Sequence, residues 1–308
     1  MYIKLLEIKS VVSCRVLTRG DKLKKFKNRL KSNEGFMGAT HILSAVSIFF
    51  FIVAVFPDFL FGQLGSKDVF VVFSSLIIVG GASLLPDLDN TKSSAISSLG
   101  IIGIGLSKAM RALAVVIYTL TRTRYDDENV NPHRGFWHTI ISVILLFFVV
   151  LASVSIDKAI MIFNNEYTIG FLFFSLWLFI CSRLFFTTFF KKSNDRFKRK
   201  GTSGSIISLL LSVILTVCLV MFTSHLDSYR WVAFSMATGY LIHIIGDTFT
   251  VAGTPLFWPI KRKGKRWYTY RFLKIKAGGD VEKYIFLPGF FIISVISIAK
   301  TLMMILST

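Results

Sequence analysis

Apolar and polar positions in this chain segregate into blocks. Runs of roughly 20 mostly apolar residues, the length that crosses a bilayer as a helix, are separated by short, basic, polar segments. The pattern predicts spans at about 41–61, 69–85, 136–156, 168–190, 205–225, 231–251 and 284–306. Residues 95–120 are apolar too, but Gly100, Gly103, Gly105, Lys108 and Arg111 interrupt them. Two short half-helices or an interfacial hairpin suit that stretch better than one clean span. Residues 268–276 alternate in character, which predicts a small cytoplasmic β-hairpin near 267–283, closed at Gly278-Gly279. The expected fold is all-α: a polytopic transmembrane helical bundle of about seven spans plus a re-entrant or interfacial segment at 95–120. A basic head, 1–38, precedes the bundle, 39–308.

Composition agrees. Hydrophobic residues make up 53% of the chain, above the ~45–50% (glycine included) of soluble domains. The net charge of +19 would point to nucleic acid in a soluble protein. Here the basic residues sit between apolar runs, where they set orientation and meet anionic headgroups, so membrane lipid is the expected partner and nucleic acid is not. Cys14, Cys181 and Cys218 are scattered, with no zinc-finger spacing, so any metal would be held by N and O ligands. Lys4, Glu7 and Lys9 interrupt the first apolar stretch, and no signal peptide is expected.

With the N-terminus in the cytoplasm and 95–120 returning to the side it left, the dense Lys/Arg clusters all fall in cytoplasmic loops: 1–40, 86–94 with 121–135, 191–204 and 252–283. The opposite loops carry only Lys67, Lys158 and Arg230. The same topology gathers the candidate chemistry. His41 starts an outgoing span, Asp87 and Asp89 end an incoming one, His133 and His138 start the next outgoing one, and His243 and Asp247 lie near an incoming end. All seven fall on the cytoplasmic face, whereas His225 falls on the other.

These residue types are metal ligands. His243 and Asp247, at i and i+4, share one helical face and can grip one ion. His133 and His138 are five apart, natural for one in a loop and one in the first turn. Asp87 and Asp89 follow a helix stopped by Pro86. They could point the same way, or one could bind while the other orients a histidine. Imidazole with carboxylate suits Zn²⁺, one or two ions, with Mn²⁺ or Fe as alternatives. Such ions ionise water near neutral pH for attack on an ester or phosphodiester. Arg134 is placed to hold developing charge on phosphoryl oxygen, and Asp89 and Glu282 are the candidate acids.

Thr40-His41, Pro86-Asp87-Leu88-Asp89, His133-Arg134 through His138, and Gly239-x-x-x-His243-x-x-x-Asp247-x-x-Thr250-x-x-Gly253 together resemble the YdjM-like membrane-bound metal-dependent hydrolases. The resemblance runs from about 38 to 260, and Pro259, Gly278, Gly279 and Glu282 fit it as well. It implies a bacterial inner-membrane hydrolase, distantly similar to zinc-dependent phospholipase C, with a helical, phosphodiesterase-like zinc site. The head, 1–38, lies outside it. Trp137, just before the second histidine, departs from the pattern and is placed to shape a lipid-side pocket.

The leading expectation is a multi-pass metallohydrolase acting on a lipid or lipid-linked phosphoester at the cytoplasmic leaflet. The alternatives are a transporter or metal-handling protein using the same His/Asp groups, or a scaffold whose basic head recruits acidic partners. Neither His-Glu-x-x-His nor Gly-x-Ser-x-Gly occurs, which disfavours a zincin-type protease and a serine lipase.

Overall fold

The computed structural model describes residues 37–56, 69–90, 93–127, 133–162, 165–197, 203–224, 226 and 228–306. Residues 1–36 of the basic head and the turn at 62–66 lie outside them. Eight α-helices are present among these residues: α1 Gly38–Val55, α2 Val69–Ala82, α3 Ser94–Thr121, α4 Ile140–Val154, α5 Ile169–Phe197, α6 Ser203–Thr223, α7 Trp231–Thr248 and α8 Leu287–Leu306. Six stretches are long and apolar enough to cross a membrane: Gly38–Val55, Val69–Asp89, Ala95–Thr121, Ile169–Phe189, Ile206–Thr223 and Glu282–Leu306. Ile140–Val154 is a shorter apolar helix. The chain is a multi-pass helical membrane protein.

α7 packs against α1, α2 and α4. Lipid-like surroundings give helices no hydrophobic reason to associate, so close backbone approach through small residues matters. Gly239 on α7 faces the Val79 carbonyl of α2, which a Cβ would meet at 2.3 Å. Gly81 on α2 lies against the Cys181 backbone of α5, where a Cβ would come to 2.2 Å. These contacts fix the height of α2 and so place the turn that follows it.

α3 departs from the expected pair of short half-helices. Gly100 (φ 59°, ψ −133°) breaks it after one short arm, and a single long arm continues to Thr121. The face carrying Ser107, Met110, Ala114 and Tyr118 is buried, whereas Ile101, Ile102, Val116 and Leu120 are exposed. Ser93 caps its start, just after the Pro86–Asp89 turn. At its middle the Trp137 indole donates to the Met110 carbonyl at 2.8 Å. At its end the Trp267 indole donates to Thr121 Oγ1 at 3.2 Å. An aromatic chain, Phe136–Trp258–Trp267–Tyr118, links that end back to the His/Arg motif. Both ends of α3 are therefore tied to one end of the bundle, as suits an interfacial helix, although its length and composition alone would let it cross.

The expected hairpin closed at Gly278-Gly279 is not formed. Residues 249–275 instead fold back through isolated bridges, Thr250 with Ile275 and Thr254 with Tyr270, and turn at Arg262–Lys265. Lys263 (φ 51°) and Gly264 (φ 79°) supply the two left-handed positions such a tight turn demands. Gly278 is otherwise engaged: its N–H donates to Glu282. The regular strand pair among the described residues is Ala159–Ile162 with Asn165–Thr168, at the opposite end, in a loop with no assigned structure at the sequence level.

Candidate metal centre

Four elements converge on one buried point. α1 contributes His41 from its first turn, and α7 contributes His243 and Asp247, one turn apart on one face. The two imidazoles stack with ring centroids 3.8 Å apart. Both aim Nε2 at Asp247, His41 at 3.5 Å from Oδ1 and His243 at 3.6 Å from Oδ2. After α2, Pro86 opens a 3₁₀ turn, Pro86–Asp89, that sends its two carboxylates to different places. Asp87 lies 3.8 Å from His243 Nε2. Asp89 turns inward to His133 Nδ1 at 2.7 Å and lies 3.6 Å from His138 Nδ1. The two aspartates therefore take separate tasks, one ligand-like and one orienting.

The His133–His138 segment is a loop followed by a 3₁₀ turn, Phe136–His138, which brings the two rings within 5.5 Å, edge to face. Thr139 caps α4, accepting from the Ser142 N–H. His138 Nε2 stands 3.6 Å from Asp247 Oδ2, so Asp247 is the hub. Arg134, in the left-handed region (φ 63°), commits its guanidinium here. It pairs with Asp247 at 3.0 Å and donates to Thr250 Oγ1 and the Gly253 carbonyl. Its backbone N–H donates to Asp89. Burial disfavours a charged His133, but the bond to Asp89 and that carboxylate's charge outweigh it and hold the imidazole above its ordinary pKa.

The residues form two potential ion positions. His41, His243 and Asp247 make one group, Asp87, His133 and His138 the other, and within each the ligand atoms lie within 4.8 Å of one another. Four-coordinate zinc with bonds near 2.05 Å sets its ligand atoms about 3.4 Å apart. The separations from Asp247 to the two histidines of its own group, 3.5 and 3.6 Å, suit that geometry. The ring nitrogens of His138 and His243 are buried and make no hydrogen bond. Such groups are costly unless something satisfies them, and a cation would. The donor set, imidazole with carboxylate, fits Zn²⁺, Mn²⁺ or Fe.

All six sequence-selected ligands thus lie in one cluster. Arg134 and Asp89 lie in it too, as the groups that hold Asp247 and His133. Glu282 belongs to neither ligand group. Its two oxygens accept the backbone N–H groups of Met37 and Gly278, which anchors the residue before α1. His225 lies outside the described residues. Sequence reasoning assigned no role to Thr250 and Gly253, which receive Arg134, and missed Tyr240, whose hydroxyl donates to the Trp137 carbonyl at 2.7 Å and fixes the loop leading to His138. The spacing of Tyr240 from His243, i to i+3, was the available signal.

A helical membrane bundle with a buried His/Asp cluster at one end is the class that fold and site define. The model of the YdjM inner membrane protein family matches residues 205–306, which take in α6 through α8 with His243 and Asp247. No curated protein and no solved structure matches the chain.

Proposed function

We propose that this protein is a membrane-embedded metal-dependent hydrolase that cleaves a phosphoester or ester of a lipid or lipid-linked substrate at the cytoplasmic leaflet. The observation that carries the reading is the pair of His/His/Asp groups, which meet where His138 Nε2 approaches Asp247, with the ring nitrogens of His138 and His243 buried and held by no hydrogen bond. One or two zinc ions held there would supply Lewis acidity and a water ionised near neutral pH. The chain's own residues do the rest. Asp89 accepts from His133 Nδ1 and leaves Nε2 as that ring's ligand atom. Arg134 fixes the orientation of Asp247 and balances its charge in a buried place. Asp87 and His133 are the partly exposed edge, 23% and 18%, where a substrate headgroup meets the site.

The site's place at the helix ends favours hydrolysis over transport, whose sites usually lie near midplane. The exposed apolar side of α3 lets acyl chains stay in lipid while a headgroup turns inward. Residues 251–279 hold eight Lys/Arg and no acid, which supports a cytoplasmic position beside anionic headgroups. The inner membrane is the location the family description suggests.

The test is hydrolysis by the detergent-purified, zinc-loaded protein of bis(4-nitrophenyl) phosphate and of phosphatidylglycerol in mixed micelles. Turnover should fall about hundredfold or more in His138→Ala and in Asp247→Ala. Equal turnover in all three proteins would contradict the proposal.

A further inference from the structure

The two ligand groups differ in their access to water. His41, His243 and Asp247 are 0%, 0% and 1% exposed, and Thr40 beside them is 0% exposed. Of the outer group, only His138 is fully buried. Asp87 and His133 reach solvent. The outer ligands also stand directly against the inner ones: Asp87 Oδ1 is 3.8 Å from His243 Nε2, and His138 Nε2 is 3.6 Å from Asp247 Oδ2.

Resting on the metal reading above, we infer that the cluster holds two ions of unequal lability. His41, His243 and Asp247 form a slowly exchanging inner position. Asp87, His133 and His138 form a rapidly exchanging outer one that lies on the inner ion's way out. An ion leaves by trading protein ligands for water one at a time. Water reaches Asp87 and His133 directly. The inner three are buried behind them among the described residues, with the stacked rings of His41 and His243 closing one side and Arg134 holding Asp247 on another. The outer histidine His133 has its Nδ1 on Asp89, so it keeps its orientation when its ion departs and the position refills without refolding.

Release kinetics test this without any substrate. The full-length protein in detergent is saturated with Zn²⁺, desalted and mixed with a chelating dye that reports free zinc. Two phases of one equivalent each are expected, with rates about tenfold or more apart. Asp87→Ala should remove the fast phase and let the remaining equivalent leave faster than the wild-type slow phase. His41→Ala should remove the slow phase and leave the fast one, with circular dichroism confirming the fold. Wild-type release of two equivalents in one phase, or binding of only one, would overturn the inequality and leave a metal site standing. A fast phase lost in His41→Ala but kept in Asp87→Ala would overturn the assignment. No zinc bound by the wild type after loading would overturn the metal reading itself.

Discussion

Arg134 shows how one side chain can hold several parts of a site together. Its guanidinium neutralises Asp247, and its backbone, in a left-handed conformation, presents an N–H to Asp89. Breaking a buried ion pair leaves the other charge uncompensated and costs about 3–5 kcal/mol. Arg134→Ala should therefore lower the unfolding midpoint of the metal-free protein sharply, and added zinc should recover part of the loss by taking up the Asp247 charge. A thermal scan with and without zinc reads both. Asp126 works at the same scale, outside the spans. Burial would raise its pKa, but the N–H groups of Thr123, Trp267 and Arg266 hold the carboxyl below its ordinary value. A depressed carboxylate contributes stability that is present above its ordinary pKa and lost as pH falls through the folded value. Stability should thus decline with acid below about pH 4, and Asp126→Asn should flatten that decline in unfolding midpoints measured across pH.

Among the elements, the helix crossings and α3 carry the consequences. Gly81 leaves no room for a Cβ against the Cys181 backbone, and backbone cannot swing aside as a side chain can. Gly81→Ala should cost about 1–3 kcal/mol and shift the turn bearing Asp87, so zinc content should fall together with the unfolding midpoint. The spans at 41–61, 69–85, 168–190, 205–225 and 284–306 were legible because about twenty mostly apolar residues leave a helix little alternative, whereas Ile140–Val154 proves shorter and Trp231–Thr248 is a helix outside the six candidate spans. The interruption at Gly100 was legible as a glycine, but the course of α3 was not. It is set by Trp137 and Trp267, each distant in sequence, which bind its middle and its end to the same side. The misplaced hairpin has a similar cause. Two glycine signals competed, and Lys263-Gly264 won because Gly278 is held by Glu282. The clustering of the six candidate ligands was legible because topology puts their helix ends on one side. The division of labour between Asp87 and Asp89 was not, since a 3₁₀ turn rather than an extended exit sets where each points.

At the level of the whole molecule, the basic lobe, both ends of α3 and the buried cluster share one end, and the proposed orientation puts that end in the cytoplasm. In a cysteine-free background, Lys261→Cys on the exposed lobe should react with an impermeant maleimide only in inverted vesicles. Reaction in intact cells would reverse the orientation. The proposed function stands or falls on whether this end of the bundle holds metal. Elemental analysis of the detergent-purified protein beside the His243→Ala/Asp247→Ala double variant tests it most directly. One or two equivalents of zinc, or of manganese or iron, are expected in the wild type and none in the variant. No metal in either protein, even after reconstitution with excess ion, would contradict it.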